Sequence, residues 1–209
     1  MSTVTKLSIN KNLFMLFKID TTGFPIYDNG EYPNHEDLAK YENSRIVRLC
    51  WGVYDYKEER RVLRSFIVQP DGYTIENDNI HKISQAKAIK QGKDIGVVFD
   101  TLRTDLLNVK FIVGHNMEFI LNILFSELFR ANKVDIMKEL EKLETVCTGE
   151  LTKDAIKLKA VNGRYKMPKF TEMYKFYFNV DYDSDGNNGK KYLRGLARCL
   201  FKAIKDGNK

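Results

Sequence analysis

The nine residues FKIDTTGFP, Phe17–Pro25, decide how the rest of the chain is read. They close an apolar run that begins at Leu13, and they end in Thr21, Thr22, Gly23 and Pro25, residue types that stop a strand and turn the chain. A strand that ends this way delivers a side chain to a site beside a tight turn, and here that side chain is the carboxylate of Asp20. Side chains alternate along a strand with period 2, so Lys18 shares the face of Asp20. An ammonium on that face has the wrong sign for a site that holds metal ions.

Outward from this stretch the pattern is that of an α/β chain. Leu13–Ile19 is a strand, Thr21–Asn43 a long polar loop, and Ser44–Tyr54 (SRIVRLCWGVY) and Val62–Val68 two strands of a hairpin. Asn79–Ser84 is a short ordered piece; Ser84 caps a helix from Gln85, and Gly92 ends it. Ile95, Val98, Phe99, Leu102 and Leu106 recur at helical spacing within Asp94–Leu107. Phe111–Val113 is a short buried strand that ends at the tripeptide GHN. Helices are expected over Met117–Arg130 and Val134–Leu143, then a strand-like piece over Thr145–Thr148. Further helices are expected over Leu151–Leu158, Thr171–Phe178 and Lys191–Ile204, with the polar loop Asp181–Lys190 before the last. This order predicts an α/β fold with a central mixed sheet flanked by helices. No repeat and no Pro/Ser-rich linker divides the 209 residues, so one domain over 1–209 is expected.

Composition narrows the function classes. A chain 43% hydrophobic and 30% charged can bury a real core. No run approaches the roughly 18 apolar residues of a membrane span, and no basic-then-apolar leader opens the chain, so neither a membrane partner nor secretion is expected. Cys50, Cys147 and Cys199 are far apart and show neither zinc spacing nor a disulfide framework, which predicts reduced thiols in an intracellular compartment. The net charge of +6 is unevenly placed: residues 150–209 hold 14 Lys and Arg against 7 Asp and Glu, whereas the first 149 hold 20 against 21. A basic C-terminal segment can attract a phosphate backbone.

Five segments, in order, resemble the DEDD (DnaQ-like) 3′–5′ exonucleases. FKIDTTGFP follows that family's F-D-x-E-T-T-G-x-P strand, and SRIVRLCWGVYD (Ser44–Asp55) matches the next. FIVQPDGYTIENDNIHKIS (Phe66–Ser84) falls where the family has a proline-glycine turn and then I-H-G-I-T. FIVGHNMEFILNILFSELFR (Phe111–Arg130) resembles V-G-H-N-x-x-F-D and its helix. TVCTGELTKD (Thr145–Asp154) follows, with NGRYKMPKFTEMYKFYF (Asn162–Phe178) behind it, and NNGKKYLRGLARCLFKAI (Asn187–Ile204) falls on the segment H-D-A-L-x-D and its helix. The resemblance implies an RNase H-like fold and a site of four carboxylates and one base, in which two divalent ions clamp a phosphate and activate water.

Residue by residue, the chain departs from that site. The first aspartate falls on Lys18, the glutamate on Asp20, the aspartate after GHN on Ile120, the base on about Asn187 and the last aspartate on Tyr192. Glu118 lies about 200° round the helix from Ile120 and points elsewhere. Asp181, Asp183 and Asp185 lie in a polar loop without EF-hand spacing. His115 belongs to the GHN turn, His81 to the I-H motif, and His35 to a polar loop with no visible partner. The expectation is therefore a degenerate exonuclease-fold chain with no metal cofactor and no catalytic residue at these vestigial positions. It would be kept to bind nucleic acid or to scaffold protein partners in a larger assembly. Lys18 and the stripe Arg194, Arg198, Lys202 and Lys205 are the candidate phosphate contacts, and Tyr73, Tyr165 and Tyr174 the candidate base-stacking rings. A composition rich in Lys, Asn and Ile resembles that of large DNA viruses and some phages, so a virion-associated or viral replication component is one expected setting. The opposing expectation is an active exonuclease that uses Mg²⁺ or Mn²⁺ with Asp20 and non-standard ligands.

Overall fold

The computed structural model describes residues 12–161, 163–183 and 188–207. Its strands are β1 (Leu13–Thr21), β2 (Ile46–Asp55), β3 (Arg60–Ile67), β4 (Val109–Gly114) and β5 (Glu144–Cys147). Its helices are α1 (Asp78–His81), α2 (Gln85–Gln91), α3 (Ile95–Asp105), α4 (Met117–Arg130), α5 (Val134–Glu141), α6 (Thr148–Ile156), α7 (Phe170–Phe178) and α8 (Gly189–Gly207), with a 3-10 turn over Leu38–Ser44. The sheet is mixed, in the order β3-β2-β1-β4-β5. The neighbours β3, β2 and β1 pair antiparallel, whereas β1, β4 and β5 pair parallel.

β1 is the central strand and is covered on both faces, which is why Leu13–Phe17 is apolar without a break. Met15, Phe17 and Ile19 pack on the layer that holds Val98, Phe99 and Leu102 of α3 and Ile123 and Leu124 of α4. Phe14 and Leu16 pack on the opposite layer, with Met173 of α7 and Leu193, Leu196 and Leu200 of α8. By the same parity Lys18 and Asp20 lie on the α8 face. There α8 begins: the Asn188 side chain accepts the Lys190 and Lys191 N–H groups at 3.0 and 3.2 Å. A Cβ at Gly189 would lie 2.2 Å from Cys50 Sγ, so the first turn of α8 can press onto β2 only because residue 189 has no side chain.

The expected elements are present with three adjustments. The loop Thr21–Asn43 contains the 3-10 turn Leu38–Ser44, which buries Tyr41 so that its hydroxyl donates to the Pro33 carbonyl at 2.7 Å. The helix expected from Leu151 begins at Thr148, directly off β5, where the Thr148 hydroxyl ties the chain to His115, the residue next after β4. The last helix starts two residues before Lys191 because Asn188 caps it. Ser84 and Gly92 bound α2 as the sequence indicates: the Ser84 hydroxyl accepts from the Lys87 N–H, and Gly92 closes the last turn. No described helix is long and apolar enough to cross a membrane.

Candidate functional site

The C-terminal end of β1 sets the site. In the β1–β2 ladder Asp20 stands opposite Arg48 and Lys18 opposite Cys50. Cross-strand partners project from the same face, so two cations converge on one carboxylate. Lys18 Nζ donates to Asp20 Oδ1. Arg48 Nε donates to Oδ2 at 2.6 Å, and its Nη2 contacts the same oxygen without an aligned hydrogen bond. The Lys18, Asp20 and Arg48 side chains are 14%, 9% and 9% exposed. The cluster therefore carries one net positive charge in a largely dry setting, and it has more donors than Asp20 can take up.

An aromatic wall closes one side. The Tyr192 ring, on the first turn of α8, has Lys18 Nζ 5.3 Å from its centroid, within cation–π range. Phe170, at the start of α7, packs against Tyr192 at 4.2 Å between ring centroids and against Tyr182 at 4.8 Å. Burial, with the nearby charges of Tyr182 and Asp20, pushes the Tyr192 phenol well above its ordinary range, so it stays protonated. Burial likewise raises the Cys50 thiol, whose Sγ lies 3.2 Å from Ser65 Oγ; it offers no thiolate to the site.

The two motif histidines are structural ties. His81 is 2% exposed, and its Nδ1 accepts the Ile83 N–H at 3.2 Å. Its Nε2 therefore carries the proton and donates to Asn77 Oδ1 at 3.0 Å, while Asn77 Nδ2 donates to the Thr21 carbonyl at 3.0 Å. This chain fixes the α1 segment to the end of β1. Burial, opposed by Asp20 and reinforced by Arg48, holds His81 below the usual histidine range. His115 Nε2 donates to the Pro168 carbonyl at 2.8 Å, so its Nδ1 accepts from the Thr148 hydroxyl at 3.0 Å; burial lowers its pKa too.

The other predicted positions divide sharply. Ile120 is 4% exposed and packs in the α3–α4 layer, where a Cβ on Gly114 would lie 2.6 Å from its Cδ1. Asn187 and Asp185 lie outside the described residues. Glu118 is exposed on α4. Asp181 pairs with Lys175 at 2.9 Å and Asp183 pairs with Lys191, so these loop acids have local partners. On α8, Arg198 stacks on Phe178 at 4.3 Å and donates to the Tyr174 hydroxyl at 2.5 Å; Lys202 pairs with Asp206 at 2.8 Å, and Lys205 with Glu58. Arg194 stays exposed. Two of the proposed stacking rings are engaged inside the fold: Tyr174 is 8% exposed, and the Tyr73 ring carries the Arg45 guanidinium at 4.6 Å. Tyr165 is 37% exposed. His35, expected to lack a partner, sets its ring edge-on to Phe125 and Phe129 of α4 at 5.8 and 6.4 Å.

Arg48 is the site residue that pattern reading missed. Its signal was present: all ten residues of β2 are buried, and an arginine inside such a run requires a carboxylate partner. The register that supplies Asp20 appears only when the two strands are paired.

A centre of four carboxylates and two metal ions does not fit this donor set. Of the implied positions that are described, only Asp20 is an acid, and both its oxygens are engaged by cations. Among the described residues no three His, Cys, Asp or Glu side chains are grouped to hold a metal ion.

No family model matches the chain, and no curated protein matches it in sequence. Solved structures do match in fold. Escherichia coli Exonuclease I in complex with a dA16 oligonucleotide superposes with a TM-score of 0.66 at 13% identity, over 93% of this chain and 41% of that one. The ExoI/SSB-Ct complex gives 0.65 at 13% identity, over 95% and 42%. Exonuclease I from Methylocaldum szegediense gives 0.64 at 10% identity, over 90% and 40%. The chain has the α/β exonuclease (RNase H-like) fold and spans about two fifths of the length of these neighbours.

Proposed function

We propose that this is an exonuclease-fold protein without metal-dependent cleavage, in which the position of the catalytic metals has become a cationic seat for a phosphate of a nucleic-acid strand. The Lys18–Asp20–Arg48 cluster carries the reading. One carboxylate between two buried cations repels a divalent ion, and the unused donors of Lys18 and Arg48 suit a phosphate oxygen. Structural neighbours bound to oligonucleotides support the choice of ligand class. The lysine- and asparagine-rich composition extends the proposal to a viral or phage setting.

Two assays test it. A 5′-labelled oligonucleotide incubated with the protein and Mn²⁺ or Mg²⁺ should stay intact; metal-dependent shortening that Asp20→Ala abolishes would refute the loss of cleavage. Binding of single-stranded DNA and RNA, titrated against salt, should weaken steeply as salt rises. No binding at low salt would remove the phosphate seat and leave a scaffold for protein partners.

A further inference from the structure

The surplus positive charge of the C-terminal third is shared between α8 and a segment that precedes α7, and on α8 three of the four stripe residues already have partners. Residues 157–169, KLKAVNGRYKMPK, hold Lys157, Lys159, Arg164, Lys166 and Lys169 and no acid. The described residues on either side of position 162 pair with one another. Lys159 bridges Tyr165, the Ala160 N–H donates to the Arg164 carbonyl at 2.8 Å, and the Lys166 N–H donates to the Leu158 carbonyl at 2.8 Å. Gly163, at φ 77°, supplies the left-handed turn. The five basic side chains and Tyr165 are exposed. Lys166 comes no nearer than 3.7 Å to Glu172, and Lys157, Lys159 and Lys169 have no ion pair among the described residues.

The foot of this finger is anchored beside the site. Pro168 accepts from His115, and Met167 lies so close to α6 that a Cβ on Gly149 would stand 2.5 Å from it. The next turn begins with Phe170, whose ring packs on Tyr192, which in turn lies against Lys18. The finger and the cationic seat are thus joined by two consecutive ring contacts.

We propose that the 157–169 finger is a second nucleic-acid contact, holding the backbone of a single strand whose neighbouring phosphate occupies the Lys18–Arg48 seat. This rests on the reading given under Proposed function. Five exposed cations with no acid among them suit a polyanion, and the exposed Tyr165 ring adds a face for a base. An acidic protein would use the charge but not the ring.

The test measures fluorescence anisotropy of labelled dT20 and rU20 against salt for the full chain. The variants are Lys157→Glu/Lys159→Glu/Lys166→Glu, Lys18→Met, and a charge-matched control, Lys87→Glu/Lys138→Glu/Lys142→Glu, on α2, on α5 and at the C-terminal cap of α5. Loss of three phosphate contacts should flatten the slope of log K against log salt by about 2 and weaken binding at least ~10-fold near 0.1 M salt. The control should retain the wild-type slope. Poly-glutamate should compete poorly. If the wild type binds and Lys18→Met weakens it, but the finger variant keeps the wild-type slope, the finger is refuted and the seat stands. Equal weakening by the control, or displacement by poly-glutamate as effective as by unlabelled dT20, also overturns the finger. If the wild type binds neither strand at low salt, the seat and the finger fall together.

Discussion

Asp20→Asn separates a cationic seat from a metal site by the sign of its effect on stability. Asp20 is the counter-ion of two cations whose side chains are 14% and 9% exposed. The amide has nearly the same shape but no charge, and it leaves Lys18 and Arg48 facing each other out of water. Removing one partner of a buried ion pair costs about 3–5 kcal/mol, and the loss of a counter-ion shared by two cations belongs at the upper end. For a chain of this size a urea m-value of about 2–3 kcal/mol/M turns ~5 kcal/mol into a midpoint lowered by roughly 1.7–2.5 M. Trp51, the single tryptophan, reports the transition: it is fully buried on β2, three residues after Arg48. Lys18→Met leaves the Asp20–Arg48 pair intact, and its midpoint should move by less than about 1 kcal/mol equivalent. In a site of clustered carboxylates, Asp20→Asn relieves repulsion and raises the midpoint. An unchanged or raised midpoint therefore refutes the cationic seat.

Three further outcomes are expected. His81 and His115 are both held neutral by burial, so the unfolded chain binds more protons below its ordinary histidine pKa of 6.5; stability should be flat above about pH 7 and fall as pH drops from 6.5 toward the depressed folded values, and His115→Gln should reduce that fall in urea titrations at pH 5 to 7. Glu127 accepts from Arg45 Nε at 2.7 Å and from the Ile46 N–H at 3.1 Å at 2% exposure, so Glu127→Ala should cost about 3–5 kcal/mol in the same assay. Gly189→Ala sets a methyl 2.2 Å from Cys50 Sγ and should cost about 1–3 kcal/mol, with Cys50→Ala in the same chain recovering much of it.

The parts of this molecule that were legible in the sequence are those fixed by local periodicity. Alternation along β1 put Lys18 with Asp20, the caps Ser84 and Gly92 placed α2, and helical spacing placed α3 and α4. Arg48 was hidden because its meaning lies in a partner 28 residues away, and strand register is not a local property. The α8 stripe was read correctly as a spacing, but its partners come from elsewhere: Glu58 from the β2–β3 turn, and Tyr174 and Phe178 from α7. The finger was invisible for a related reason. Its residues show neither period 2 nor period 3.6, and only the backbone bonds between its arms bring five cations onto one projection.

Arg48 also sets the terms on which a second carboxylate could be accepted at this strand end. Lys18→Asp alone would set two acids two residues apart on one face, but both would face a buried guanidinium that already holds Asp20. Changing Arg48 alone would leave Asp20 bonded to Lys18. Ile120 and Tyr192, meanwhile, are built into packed layers and cannot become acids without loosening them. Every path from this ion cluster to a carboxylate cluster therefore needs several substitutions together. The arginine thus acts as a latch: single substitutions in this strand pair can weaken the ion cluster, but none of them builds a carboxylate cluster in its place.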